Sequence, residues 1–237
     1  MKRVVAAVML LSLIFGVPTY GHAAVLNVQF GPAGIDYTGT AAAPDTGTIW
    51  NYVTAPLAGG SSQSLNASGF DYSDGSPASG ITISSSVPVW SWNEGSYSGL
   101  TDNRVFNTIP SPFTGQTYPF SLTISGLDNS LTYNLYCYAS NPSYATTYTV
   151  GSTSGSAYGQ LGDSNPFQAT TDYALLSDLT PIAGAITIEL SHFDLGTAAV
   201  IGGLQLETVP EPSTLIVWSL LGTIGLGLGW WRKRKAA

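Results

Sequence analysis

The sequence predicts an all-β domain, an antiparallel β-sandwich or jelly roll, flanked by an N-terminal signal peptide and a single C-terminal transmembrane helix. Three observations predict it. Short runs that alternate apolar and polar residues recur between clusters of Gly, Pro, Asn and Ser from Val25 to Glu207. Nothing in that region keeps a helical period. The 237 residues include 27 Gly and 14 Pro, with 44% hydrophobic and only 9% charged residues, a composition that suits strands and turns around one sizeable core.

The first element is the leader. Basic Lys2-Arg3, an apolar run from Val4 to Phe15 and small residues around Gly21-His22-Ala23 are the three parts of a secretory signal, with cleavage expected after Ala23. The run falls short of the ~20 apolar residues that a membrane-spanning helix needs. Residues 1–23 therefore read as a removable signal peptide and 24–207 as the sandwich.

Within the sandwich, strands are expected over 26–30, 81–85, 87–92 with an edge or bulge at Pro88, 120–125, 132–139, 147–150, 173–176, 185–190 and 200–206. Phe120, Leu122 and Ile124 alternate with Ser121 and Thr123, as Ile186, Ile188 and Leu190 do with Thr187 and Glu189. Each such strand has one core face and one wet face, which two packed sheets explain better than a parallel α/β sheet. The Ser/Gly-rich stretches 59–64 and 152–156 read as loops. The single cysteine, Cys137, excludes an intramolecular disulfide and any cysteine metal cluster, and its place among Leu131, Tyr133, Leu135 and Ala139 on one strand face makes it a core thiol.

The last element is the tail, 208–237. Val209-Pro210-Glu211-Pro212-Ser213 precedes an uncharged stretch over 214–231, followed by Arg232-Lys233-Arg234-Lys235. Eighteen residues at ~1.5 Å rise cover about 27 Å, enough for a thin bilayer core. Trp230 and Trp231 then lie at the interface, and the four cations form a cytoplasmic basic anchor that leaves the preceding domain outside. Gly225 and Gly229 have the spacing of a close helix-packing motif, which lipid-tolerated glycines explain equally well.

Charge excludes some partners. Six of the seven cations sit at the two ends, so the stretch from Asp36 to Glu207 holds Arg104 against thirteen acids and carries −12. Such a surface repels nucleic acid and anionic lipid.

The tail resembles the PEP-CTERM sorting signal of Gram-negative bacteria, with Pro210, Glu211 and Pro212 as the motif, then the span and the basic end. The resemblance covers about the last 28 residues. It implies that an exosortase, a membrane protease with its own cysteine nucleophile, recognises the motif and removes the tail. It also implies association with exopolysaccharide, first at the inner membrane and then at the cell surface or outside the cell. Two prolines fix an extended backbone there, the conformation proteases bind, although a stiff stalk before a simple anchor would look the same. The middle domain resembles galactose-binding-like jelly rolls, through Leu26-Asn27-Val28-Gln29-Phe30, Gly47-Thr48-Ile49-Trp50-Asn51 and Ile201-Gly202-Gly203-Leu204-Gln205-Leu206. That likeness implies a fold more than a ligand.

No catalytic set is visible. After signal removal the only histidine is His192, and no nucleophile elbow, zincin, Walker or dinucleotide motif occurs. Thirteen acids allow many carboxylate pairs, and none is singled out for glycosidic cleavage. The chain is expected to be a noncatalytic protein without a cofactor. Asp71-Tyr72-Ser73-Asp74-Gly75 makes Asp71 and Asp74 a weak calcium candidate, of the kind such jelly rolls carry in a loop, against a plain solvated turn. Trp90 and Trp92, on one face of a strand and followed by Asn93, form a candidate glycan platform, because flat rings stack on sugars while amides take their hydroxyls. The competing reading places both tryptophans in the core.

Overall fold

Period-2 alternation sorts the strands into two facing layers. The computed structural model describes residues 25–32, 37, 39, 41–43, 49–57, 61–93, 103–107, 119–139, 145–159, 167–192, 199–209, 221, 222 and 225. The expected signal peptide, Pro210, Glu211 and Pro212, and the basic end Arg232–Lys235 lie outside the described residues, as does the expected span except for those last three positions. No helix among the described residues is long and apolar enough to cross a membrane.

The strands are β1 (Val25–Gly31), β2 (Asn51–Thr54), β3 (Asn66–Ser68), β4 (Thr82–Ser85), β5 (Val89–Asn93), β6 (Asn103–Asn107), β7 (Phe120–Ser125), β8 (Thr132–Tyr138), β9 (Thr146–Val150), β10 (Thr153–Ala157), β11 (Tyr173–Leu179), β12 (Ala185–His192), β13 (Val200–Ile201) and β14 (Gly203–Val209). They form a five-stranded sheet ordered β11-β8-β14-β1-β2, a six-stranded sheet ordered β10-β9-β12-β7-β4-β3, and a small sheet ordered β13-β6-β5. The described residues between Val25 and Val209 form an all-β sandwich, as the sequence predicts for that region.

The core lies between the two large sheets. Leu26, Val28 and Phe30 of β1, Leu135 and Cys137 of β8, and Leu204 and Leu206 of β14 meet Leu122 and Ile124 of β7, Ile186, Ile188 and Leu190 of β12, Ile83 of β4 and Tyr148 of β9, all buried. Each large aliphatic side chain removed from water stabilises the fold by about 1.5–3 kcal/mol. Cys137 is among these buried residues, as expected.

Four features depart from the expected pattern. The sheets are not wholly antiparallel, because β1 pairs with β2 in parallel, Val28 opposite Asn51. The expected strand over 200–206 is two strands: β13 pairs with β6, while Gly202 donates its N–H to the Tyr138 carbonyl before β14 enters the five-stranded sheet. Strands β2, β3 and β6 are short or polar, so no alternation announces them. The stretch 152–156, read as a loop, belongs largely to β10, which returns on β9 from a two-residue turn with Gly151 at φ 58°. Its Gly155 is a packing residue, since a Cβ there would come 3.2 Å from the Cβ of Ala174 on β11.

Gly155→Val should therefore overpack the seam between β10 and β11 and lower stability by about 1–3 kcal/mol in denaturant titration. Ser154→Val, on an exposed neighbour, should change it by less than about 0.5 kcal/mol. Equal effects of the two would contradict this packing.

Candidate functional site

Strand β5 positions the tryptophans. Val89 and Ser91 point inward, Val89 into the core and Ser91 with its hydroxyl donating to the carbonyl of Ala55 at 2.6 Å. Trp90 and Trp92 take the alternate positions, Trp90 half-buried and Trp92 43% exposed. The core reading thus fails for Trp92, and Trp90 is its partly covered neighbour. Asn93 ends β5, and its side chain lies outside the described residues. Isolated bridges join Leu57 to Ser91 and Gln63 to Val89, and Leu57 and Gln63, with Pro32, Thr54, Ala55 and Pro56, line an open groove of about 430 Å³. Neither tryptophan lines this groove, but a half-exposed indole such as Trp92 can stack on a sugar ring.

Asp71 and Asp74 each have hydrogen-bond partners within the protein. Asp71 is held through its backbone, its N–H donating to Asn51 Oδ1 at 2.8 Å and its carbonyl accepting from Asn51 Nδ2 at 2.7 Å. Asp74 Oδ1 accepts the N–H and hydroxyl of Ser76, at 2.8 and 2.6 Å, which is the geometry of a side-chain-closed turn. Among the described residues no three His, Cys, Asp or Glu side chains gather to hold a metal ion. His192 ends β12 opposite Thr146.

A polar layer that sequence reasoning missed covers the outer face of the five-stranded sheet. Asn27, Gln29, Gln205 and Tyr138 are fully or almost fully buried there. Gln205 donates to Asn27 Oδ1 at 2.8 Å, and its Oε1 accepts the Tyr138 hydroxyl and the Ala43 N–H. Tyr138 in turn accepts the Ala42 N–H at 2.7 Å, and Gln29 Oε1 accepts the Tyr37 N–H at 2.7 Å. Glu207 accepts from Asn134 Nδ2 at 3.1 Å and from the Tyr136 hydroxyl at 3.2 Å. The signal was present, as amides and tyrosines at every second position of β1, β8 and β14. It reads as a wet sheet face, and only tertiary structure shows residues 41–43 lying over it.

Burial pushes the hydroxyls of Tyr138 and Tyr148 far up, and burial together with the Glu207 carboxylate does the same for Tyr136. The thiol of Cys137 is raised by burial too, so it is held protonated rather than as a nucleophilic thiolate. At the opposite extreme, the N–H and hydroxyl of Ser130 hold the carboxyl of Asp128 below its usual range.

No family model matches the chain, and no curated protein matches it. Among solved structures, protein YXIM from Bacillus subtilis aligns with 78% of this chain at 11% identity and a TM-score of 0.41. The chain spans 40% of that protein's length.

The raised tyrosines set an alkaline limit. In the folded state they stay neutral where unfolded tyrosines, with pKa near 10, ionise. Their contribution is complete below about pH 10 and is lost as pH rises above it. The unfolding midpoint should hold steady from about pH 7 to pH 10 and fall beyond it. Phenolate absorbance should appear in two phases, the second coincident with loss of β-structure. Ionisation of every tyrosine in one phase without unfolding would contradict the buried placement.

Proposed function

We propose that the chain is an exported, noncatalytic cell-surface or extracellular-matrix protein, sorted and processed by an exosortase and associated with exopolysaccharide. The observation that carries the reading is the order Pro210-Glu211-Pro212, apolar stretch, basic end, beginning at the residue after β14. The galactose-binding-like jelly-roll likeness belongs to the same reading and supplies a scaffold for a surface role. The leader Lys2–Ala23 supports export, and the apolar stretch with Arg232–Lys235 supports membrane anchoring before processing with the basic end cytoplasmic. Expression in hosts with and without an exosortase, followed by intact-mass analysis of membrane and medium, tests it. Loss of the mass beyond the motif only when the enzyme is present is expected. An intact, membrane-bound tail in both hosts would leave a simple anchored ectodomain.

A second reading, a carbohydrate-binding module, draws on the exposure of Trp92. Retardation on a neutral polysaccharide gel should be lost in Trp92→Ala with the melting temperature unchanged. Retention equal to that of the parent protein would remove Trp92 from any glycan site.

A further inference from the structure

Hydrogen bonding in the five-stranded sheet runs to the last residue of β14, with Thr208 opposite Tyr133 and Val209 opposite Thr132. Pro210 is the next residue, so no linker separates the sheet from the motif. Three extended residues span at most about 11 Å. An enzyme that grips Pro210, Glu211 and Pro212 must therefore work against the end of the sandwich from which β14 leaves.

Two turns build that end beside β14. One, 126–131, leads into β8, and the other, 180–184, joins β11 to β12. They brace each other, the Leu127 N–H donating to the Gly184 carbonyl at 2.9 Å and the Gly184 N–H to Asn129 Oδ1 at 2.7 Å. Ile182 and Ala185 exchange backbone hydrogen bonds of 2.9 and 3.1 Å, and Asp128 closes its own turn on Ser130. Leu179 is level with Tyr133, which is level with Thr208. Ile182 thus stands beyond the end of β11, a strand that lies two strands, about 10 Å, from β14. On this braced frame Ile182 is 83% exposed, more than any other large apolar side chain among the described residues. Asp128 and Asp178 are exposed on the same two turns or at their edge.

We propose that these turns, centred on Ile182, are a docking surface for the protease that removes the tail; the inference rests on the sorting reading above. The partner it fits offers an apolar socket for Ile182 rimmed by cations that face Asp128 and Asp178. A small apolar anchor with a charged rim is how specific interfaces are built. The acids, and the −12 carried by residues 36–207, disfavour an anionic bilayer as the alternative occupant.

The test uses the full chain co-expressed with an exosortase, with the processing rate followed by pulse-labelling. Ile182→Asp should slow processing about tenfold, as loss of one interface anchor does. Ile182→Ser should slow it less, and both should keep the parent's melting temperature. Pro210→Ala, Glu211→Ala and Pro212→Ala combined should abolish processing. Ile182→Asp processed at the parent's rate, with the triple variant blocked, would overturn the docking surface and leave the sorting reading intact. An unprocessed parent chain would overturn both. Repeating the assay with detergent-solubilised enzyme separates the bilayer: a slowing that persists supports the protease contact, and one confined to membranes assigns Ile182 to lipid and overturns it.

Discussion

The fold depends on the register of β14. One cysteine allows no intramolecular disulfide, so nothing covalent closes the domain. Instead β14 slots between β1 and β8, bringing Asn27 opposite Gln205 and Leu206 opposite Leu135. A slip of one residue would turn Leu204 and Leu206 out of the core and drive Gln205 and Glu207 into it. The hydrogen bonds of Gln205 to Asn27, Tyr138 and Ala43 resist that slip, because each buried polar group left unpaired costs about 1–3 kcal/mol. Apolar burial makes the sandwich stable, and the amide layer makes its register single-valued.

The same strand carries the chain out of the sheet. β14 is paired on both edges as far as Glu207 and on β8 alone at Thr208 and Val209, so the chain leaves the sheet from a central strand. The residues after Val209 follow directly on the paired end of β14. The thirteen acids between Asp36 and Glu207, against Arg104 alone, disfavour polyanions.

Much of this was legible in the sequence, for definite physical reasons. β7 and β12 alternate cleanly because one face is core and the other solvent, and Cys137 sits in the apolar register of β8. β10 was missed because Ser and Gly mark loops locally, whereas Gly155 is there to admit Ala174 at close approach. β2, β3 and β6 are fixed by their neighbours rather than by their own pattern. At the candidate site, the alternation of Trp90 and Trp92 was readable, but the greater exposure of Trp92 depends on which neighbours cover each ring. The amide layer was hidden for the opposite reason: polar alternation looks solvated until another segment is laid across it. Ile182 was invisible as a surface feature, since a lone isoleucine after proline gives no sign of its exposure.

The most direct measurement is hydrogen exchange along β14 in the full-length protein. Ordered pairing up to the motif predicts that, of the amides of Glu207, Thr208 and Val209, those that face β8 are protected within reach of those of Leu204 to Leu206. Exchange of the last three at the rate of an unstructured peptide would place a free linker before Pro210 and contradict the claim that the sandwich runs directly into the motif.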